Sequence, residues 1–382
     1  MEKVINLRIP HIGEQIFENF DTQALIECAL VSDTWKVLAE KILLKRWTGK
    51  LFEVCASGNV EIVKLLLDHL DNENIKLNSK NINGCTPFIV ACKNGQTDVV
   101  QLLLDHFSAN IDLNAIDNHG WTALMSVCKY GFKDIVQQLL DHSGKGNIEL
   151  NATDDFGRTA FMIGCLYGNI DVVQLLVSNS KIDVNVRSDS GWTAFMYACR
   201  NGHTEVVKLL LNHPKRNIDV NAREESGKTA FLLACANGHN DVVQLLLEHS
   251  EININIKSNS GWTAFMYACR NGHKEIVELL MDRNIELNAK EDFGRTAFVY
   301  ACTFGHKNVV QLLLDQPDKK IELNIQDKFG WTAFMHTCMH KQEDVVNLLL
   351  EHSKEKGIII PKNIDKVPED IRDLIELYLD QK

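Results

Sequence analysis

Apolar residues recur along most of the chain in a pattern that repeats every 33 to 37 residues. Its clearest form is the stretch SGWTAFMYACRNGH, which occurs twice without a change, at Ser190 to His203 and at Ser260 to His273. The threonine of each copy marks the period and stands at Thr86, Thr122, Thr159, Thr193, Thr229, Thr263, Thr296 and Thr332. A period of this length indicates a repeat architecture, in which each copy is one small structural unit.

Each copy predicts two short antiparallel helices. Apolar or small residues at helical spacing, such as Phe195 and Cys199, follow the threonine and form one narrow helix face. The threonine hydroxyl suits the N-cap of this helix. After a glycine, the second helix begins beside an acidic residue such as Glu205 and carries Val206 and Leu210 on its apolar side. An alternating segment follows, so the pattern predicts helix, helix and extended arm in every unit.

The sequence around each threonine resembles the ankyrin repeat, whose signature is T-P-L-H-x-A. It stands as TPFIVAC at Thr86 and as TAFMYAC or close variants downstream. The resemblance implies an all-α repeat fold, a solenoid of about nine helix pairs with short β-hairpin arms. The array covers residues 51–357, and its units start near residues 51, 83, 119, 156, 190, 226, 260, 293 and 329.

Two departures from the repeat carry expectations of their own. The signature histidine is most often replaced by methionine, which removes an inter-repeat hydrogen bond that the resemblance implies. We expect apolar packing to offset the loss at Met125, Met162, Met196, Met266 and Met335. Residues 358–382 leave the pattern and contain PEDIRDLIELYL, which predicts an amphipathic C-terminal capping helix. The alternative is that this helix binds a partner.

The first 50 residues do not follow the repeat. Ile12, Ile16 and Phe20 form an apolar stripe after Pro10, and a second amphipathic stretch runs towards Trp35. Three short helices in about 40 residues are marginally stable by themselves. We therefore expect this N-terminal module to pack on the first repeat.

The order of residues in the module resembles the F-box. Ile9 and Pro10 stand in place of a Leu-Pro start, and ALVSDTW at residues 29–35 matches the family's S-L-V-C-x-x-W. The resemblance implies that the module binds a Skp-type adaptor, which joins a cullin ubiquitin ligase, while the rest of the chain captures a substrate. Carried over by matching position, the adaptor-binding or module-packing residues are Pro10, Ile16, Phe17, Leu25, Leu30, Val31 and Trp35. The alternative is that the module only caps the array.

Composition narrows the classes of partner. The net charge of -11 and the pI near 5.7 argue against nucleic acid or an anionic membrane as the main partner. No apolar run approaches the length of a membrane span, and residues 1–10 lack the core of a signal peptide. We expect a soluble cytoplasmic monomer.

The eleven cysteines are explained by the repeat. Nine occupy the same first-helix position, at Cys55, Cys92, Cys128, Cys165, Cys199, Cys235, Cys269, Cys302 and Cys338. Stacked helices stand about 8 to 10 Å apart, too far for disulfides between equivalent positions. We expect buried free thiols, no metal site and a reducing compartment.

The ankyrin resemblance implies that a partner binds the concave side, through the arm tips and the outer ends of the first helices. The residue between the turn glycine and the threonine, here called the tip residue, reads Cys85, Trp121, Arg158, Trp192, Lys228, Trp262, Arg295 and Trp331. Helix-end positions add Lys129, Tyr130, Tyr167, Arg200, Arg270 and Phe304. Aromatic and arginine side chains dominate binding hot spots, and tips about 10 Å apart let cations lie over neighbouring indoles. Alternatively, each indole covers the next arm, and the alternation comes from duplication of a two-repeat unit.

Catalysis has little support in the sequence. GKT at residues 227–229 lacks the first glycine of a phosphate-binding loop, and no HExxH or GxSxG motif is present. We expect a non-catalytic protein without cofactors, which recruits an unknown protein target to an SCF-type cullin ubiquitin ligase. The alternative is a scaffold or inhibitor. The combination of modules resembles proteins with which large DNA viruses and intracellular bacteria redirect host ubiquitination, so a host-interaction role is expected.

Overall fold

The computed structural model describes residues 10–70, 75–106, 110–143, 148–214, 217–316, 321–361 and 368–380. Contacts within the chain divide it into two compact units, with the division between Asp183 and Val184. The described residues contain helices, one isolated bridge between Thr153 and Thr159, and no strand. The prediction of an all-α repeat fold is confirmed. Ile9 and the side chain of Pro10 lie outside the described residues.

Three helices form the N-terminal module: α1 (Pro10–Glu18), α2 (Thr22–Ala29) and α3 (Asp33–Trp47). Asp21 caps α2 by accepting a hydrogen bond from the backbone N–H of Ala24 at 2.8 Å. Ser32 caps α3 in the same way. Helix α3 packs on both other helices of the module and on the second helix of the first repeat. The module is therefore continuous with the array.

The first unit contains four helix pairs among its described residues. They are α4 (Leu51–Ser57) with α5 (Val60–Leu67), α6 (Pro87–Lys93) with α7 (Thr97–Asp105), α8 (Ala123–Tyr130) with α9 (Lys133–His142), and α10 (Ala160–Tyr167) with α11 (Ile170–Ser178). First helices pack on first helices and second helices on second helices within the unit.

The second unit contains five further pairs and two C-terminal helices among its described residues. They are α12 (Ala194–Arg200) with α13 (Thr204–Leu211), α14 (Ala230–Asn237) with α15 (Asn240–Glu248), α16 (Ala264–Asn271) with α17 (Lys274–Met281), α18 (Ala297–Thr303) with α19 (Lys307–Leu314), α20 (Ala333–Met339) with α21 (Glu343–Glu351), then α22 (Ser353–Lys356) and α23 (Glu369–Asp380). Helix α23 packs on α21, with Ile371 and Ile375 fully buried, as expected of a cap.

The repeat threonines begin the first helices as predicted. Each threonine hydroxyl accepts a hydrogen bond of 3.2 to 3.4 Å from the backbone N–H three residues later, at Thr86, Thr122, Thr159, Thr193, Thr229, Thr263, Thr296 and Thr332. The threonines satisfy amides that the first helical turn leaves unpaired, so residues with poor intrinsic helix propensity can still form these short helices.

The core lies between the two layers of helices. Seven of the eight full repeats bury a first-helix phenylalanine, such as Phe195, and each buries a pair of β-branched residues on the second helix, such as Val206 and Val207. Met125 and Met196 are fully buried at the position of the missing histidine, and Met162 and Met266 are nearly so, while Met335 is half-buried. The expected apolar replacement therefore holds at four of the five methionines.

The arms are hairpin turns held to one another by isolated backbone bonds. In the third repeat, the N–H of Asp117 donates to the carbonyl of Trp121 at 3.0 Å, which closes the turn. The N–H of Asn118 donates to the carbonyl of Asn83 in the preceding arm, also at 3.0 Å. Since each described junction has so little backbone pairing, no strand ladder develops and the hairpins remain turns.

An arm asparagine adds a second link between repeats within each unit. The side chain of Asn221 accepts a hydrogen bond from the N–H of Asn253 at 2.9 Å and donates to the carbonyl of Glu251 at 2.6 Å. Equivalent bonds of 2.9 to 3.0 Å are accepted by Asn78, Asn114, Asn151, Asn185, Asn288 and Asn324. The recurrent asparagine thus joins neighbouring arms, a role that the sequence pattern did not reveal.

Candidate protein-interaction surface

The tip residues are positioned by a polar residue three places before each turn glycine, here called the turn-closing residue. Asp154 shows the geometry: its Oδ1 accepts hydrogen bonds from the N–H groups of Phe156 at 3.0 Å and Arg158 at 2.8 Å. The same place is taken by Asn81, Asp117, Ser188, Glu224, Ser258, Glu291 and Asp327. These residues orient the tips. Sequence reasoning missed them, although the spacing to glycine was a usable signal.

The three turn-closing aspartates, Asp117, Asp154 and Asp327, are paired with cations. Lys93 lies 2.7 Å from Asp117, and Arg158 lies 2.7 Å from Asp154. Burial opposes ionisation of Asp117, but the hydrogen bonds from Lys93 and from two backbone N–H groups outweigh it, and its pKa lies below the ordinary value. Asp117 is therefore charged and buried, and its charge is compensated inside the array by Lys93.

Asp327 accepts hydrogen bonds from two side chains of different repeats as well as from its own turn. It accepts hydrogen bonds from the N–H of Trp331 at 2.9 Å, from Arg295 at 3.3 Å and from His336 Nε2 at 2.8 Å. Burial opposes its ionisation, but these bonds and one from the N–H of Phe329 hold its pKa below the ordinary value. Burial lowers the pKa of His336 below its ordinary value, despite the opposing effect of Asp327. His336 is therefore neutral near pH 7 and acts as a hydrogen-bond donor.

In the first unit, the predicted residues form one aromatic and cationic cluster. Trp121 Nε1 donates to Asp154 at 3.1 Å, and the Arg158 guanidinium lies 5.9 Å from the indole. The Lys129 ammonium lies 5.3 to 5.5 Å from the rings of Trp121, Tyr130 and Tyr167. The tyrosines are exposed. The cluster therefore offers rings and a cation to a partner.

In the second unit, two tryptophan stations repeat one another. At the first, Trp192 contacts the ring of Tyr197 at 5.1 Å, and the Arg200 guanidinium lies 5.3 Å from the indole. At the second, Trp262 contacts Tyr267 at 5.0 Å, and the Arg270 guanidinium lies 5.7 Å from the indole. The identical stretches of sequence thus produce the same local arrangement.

The tip cations do not alternate over the tryptophans in the way that the sequence suggested. Arg158 does approach Trp121, but Lys228 lies 5.7 Å from Tyr267, and Arg295 lies 5.8 Å from Phe293 while it binds Asp327. The helix-end cations cover Trp121, Trp192 and Trp262 instead. For Arg295 the reason is the buried carboxylate of Asp327, which attracts a guanidinium more strongly than an indole face does.

An open cavity of about 780 Å³ lies in the second unit beside the Trp262 station. Phe293, Phe304 and Phe329 line it and are 54%, 45% and 65% exposed. Trp331 and Arg270 also line it, and Arg270 lies 4.9 Å from the ring of Phe304. Exposed aromatic rings around a cavity can receive a large apolar side chain.

Histidines before the second helices contribute contacts between repeats rather than ligands. The Nε2 atoms of His239 and His306 lie 2.6 and 2.7 Å from the carbonyl oxygens of Arg200 and Arg270 in the preceding repeats. These bonds fix the ends of the two first helices that carry the stations.

The thiols are buried, as expected. All eleven cysteines are free and buried. Burial raises the pKa of Cys55 and Cys338 to about 12. Among the described residues, no group of three or more histidine, cysteine or acidic side chains is arranged to hold a metal ion. Deprotonation of such thiols is suppressed, so they behave as small apolar residues.

The module residues fall into two groups. Phe17 and Leu25 are fully buried, and the ring of Trp35 packs edge-on against Phe17 at 5.4 Å, so these residues hold the module together. Leu30 and Val31 are 84% and 58% exposed at the turn between α2 and α3. Ile16 is half-buried. A partner can therefore contact Leu30 and Val31 directly. Phe17 and Leu25 can affect binding only indirectly, because they maintain the fold of the module.

The comparisons with known proteins concern the array. A family model described as ankyrin repeats (3 copies) matches residues 51–154, 146–224, 216–291 and 286–359. Residues 1–50 lie outside these matches. No curated protein matches the chain significantly. In the part of the chain that the structure describes, no helix is both long and apolar enough to span a membrane.

Proposed function

Since the chain belongs to the ankyrin repeat family, a family of protein-binding modules, we propose that it is a non-catalytic adaptor of an SCF-type cullin ubiquitin ligase. The module formed by α1 to α3 holds a Skp-type adaptor. The tips and first helices of the array hold the protein target. The protein acts in the cytoplasm as a monomer. Because its combination of modules resembles viral and bacterial proteins that redirect host ubiquitination, the ubiquitin ligase is that of a host cell.

The observation that carries the ligase proposal is the exposure of Leu30 and Val31. Val37, one turn into α3, is also 68% exposed, so three large apolar side chains face away from the module core. Their neighbours Leu25 and Phe17 are fully buried, so the module has a core as well as an apolar outer surface. Exposed apolar side chains grouped on a small helical module are typical of a binding site for another protein.

The target surface is supported by the clusters at the tips. In the first unit it consists of Trp121, Tyr130, Arg158 and Tyr167. In the second unit it consists of Trp192, Arg200, Lys228, Trp262, Arg270, Arg295, Phe304 and Trp331. Tryptophan, tyrosine and arginine are the residues enriched in binding hot spots. Tyr130, Tyr167, Arg200 and Phe304 are exposed, and the other side chains of this surface are half-buried.

The experiment that tests the ligase proposal uses an exposed position, so that folding is preserved. Leu30→Asp combined with Val31→Asp is expected to abolish capture of a purified Skp-type adaptor, because charged groups replace the apolar contact. Ile82→Asp is the matched control, since Ile82 is 94% exposed on an arm of the array. Adaptor binding that survives the double substitution, or that never occurs with the full chain, contradicts the proposal.

The packing of α3 on the first repeat favours a second candidate, a scaffold whose N-terminal module is only a cap. Ile42 and Leu43 on α3 are buried, as a cap requires. A chain that starts at Leu51 separates the two candidates. Equal target capture by both chains, with no adaptor recovered by the full chain, favours the scaffold. Recovery of a Skp-type adaptor by the full chain alone favours the ligase subunit.

A further inference from the structure

Arg200 and Arg270 are arginines without an acidic partner. They occupy the same place in the two identical stretches, at the ends of α12 and α16, and each lies over the indole of its own repeat. Neither guanidinium forms an ion pair or a hydrogen bond within the described part of the chain. Arg200 is exposed and Arg270 is half-exposed at the border of the 780 Å³ cavity.

The turn-closing residue in the hairpin of each station carries no charge. In three other repeats this residue is an aspartate that binds a cation, in the pairs of Asp117 with Lys93, Asp154 with Arg158 and Asp327 with Arg295. At the two stations it is serine, Ser188 or Ser258, whose hydroxyl accepts the tip N–H and carries no charge. The two stations thus keep the hairpin geometry without an acidic side chain at the turn-closing position of their own hairpins.

We propose that the two stations bind two carboxylates of one extended segment of the target, so that the target is an acidic peptide segment; this inference rests on the proposed target surface. A guanidinium held over an indole presents its free N–H edge to a planar carboxylate. The stations lie two repeats apart in one unit, which places them about 20 Å from each other. An extended chain covers that distance in about six residues.

The source of the negative charge is protein carboxylate rather than nucleic acid. The net charge of -11 opposes a polyanion at long range. At physiological ionic strength this repulsion is screened beyond about 8 Å, so two local ion pairs can still form. Aromatic rings beside each guanidinium also suit the apolar portion of a peptide.

The probe is a peptide with two glutamates separated by five prolines, because a polyproline helix rises about 3.1 Å per residue and sets the glutamates about 19 Å apart. Calorimetry with the full chain is expected to show binding that weakens about 25-fold when both glutamates are replaced by glutamine. A peptide with only two prolines between the glutamates cannot reach both stations. It is therefore expected to bind as weakly as the five-proline peptide does when one of its two glutamates is replaced by glutamine.

Substitutions on the protein identify the stations. Arg200→Gln and Arg270→Gln are each expected to weaken the glutamate peptide about fivefold, in line with one exposed ion pair of about 1 kcal/mol. Arg270→Lys keeps the charge and is expected to retain more affinity than Arg270→Gln. Lys208→Gln is the matched control, because it removes one exposed charge from α13 in the same unit. Equal affinity for the glutamate and glutamine peptides, or unchanged affinity in the Arg200→Gln/Arg270→Gln variant, overturns the inference.

The outcome is distinguishable from failure of the proposed function. If the peptide does not bind but Trp192→Ala and Trp262→Ala still abolish capture of the natural target, the surface is used and its acidic specificity is wrong. If neither substitution affects target capture, the surface itself is not used, and the inference fails with it.

Discussion

At the scale of single residues, each position of the repeat occurs eight or nine times, so the equivalent residues can be compared with one another. The inner glycine of the repeat, which has a positive φ in the other full copies, is replaced by Lys341 in the last one. Lys341 keeps the left-handed conformation, with φ of 54°. A residue with a Cβ is strained there, so the backbone of the last repeat has a local strain energy that the glycines of the other repeats do not have.

Lys341→Gly is therefore expected to stabilise the protein by about 1 kcal/mol, because glycine adopts a positive φ without a Cβ clash. The melting temperature in differential scanning calorimetry measures the change. Lys341→Ala is the control, since it removes the same side chain and keeps the Cβ. If both variants melt alike, the backbone strain is not the cause.

His336 occupies the first-helix position that is tyrosine at 197, 267 and 300. Its pKa is lowered in the folded protein, so the unfolded chain binds a proton more readily as the pH falls. Stability is then fully present above the ordinary histidine pKa of about 6.5 and is lost as the pH decreases through it. Arg295, Asp327, His340 and the ring of Trp331 surround the imidazole.

His336→Tyr is expected to reduce the loss of unfolding free energy between pH 7.5 and pH 5.5, because the histidine titration is removed. Urea unfolding at several pH values measures this. The lowered pKa of Asp327 acts in the same direction, but below about pH 4, where the carboxylate begins to protonate. Identical pH profiles for the variant and the natural protein would show that protonation of His336 does not limit stability.

At the scale of elements, short helices of seven to ten residues form because packing and caps support them. The terminal helix α23 depends on the same support. Ile371 and Ile375 are fully buried against the last repeat, and the hydroxyls of Tyr378 and Ser353 lie 3.1 Å apart. The helix therefore covers apolar surface that a further repeat would otherwise cover.

Ile375→Ala is expected to destabilise the protein by about 2 to 4 kcal/mol, since it removes a fully buried side chain. Leu377→Ala is the matched control on the same helix, because Leu377 is 61% exposed and its truncation costs little. Chemical denaturation followed by circular dichroism measures both. Similar small losses for the two variants would mean that α23 does not cap the array.

At the scale of the whole molecule, the repeats share the geometry of the helix pair but differ in their tip residues and in the contacts that these residues make. Trp192 contacts one tyrosine, whereas Trp262 contacts Tyr267 and also Tyr300 at 4.3 Å. Both indoles pack against aromatic rings and are half-buried, so the packing role is present and a partner can still reach the exposed part of each side chain. Their proportions differ between the two stations.

Trp192→Ala and Trp262→Ala are each expected to weaken target capture at least tenfold, as loss of a hot-spot aromatic does. The stability loss is expected to be modest, and larger for Trp262→Ala because two ring contacts are removed. Pull-down of the target and thermal unfolding measure the two effects separately. A large fall in melting temperature with unchanged capture would assign the indoles to packing.

The sequence by itself determined the period, the helix pairs, the threonine caps and the burial of the nine equivalent cysteines, because these depend on residues close together in the chain. Tertiary structure decided which cation meets which ring. Lys228 lies over a tyrosine ring and Arg295 binds a carboxylate. Arg200 and Arg270 lie over tryptophans. These contacts depend on competition among side chains from neighbouring repeats, and the energy of such competition is set by burial and distance in the folded stack.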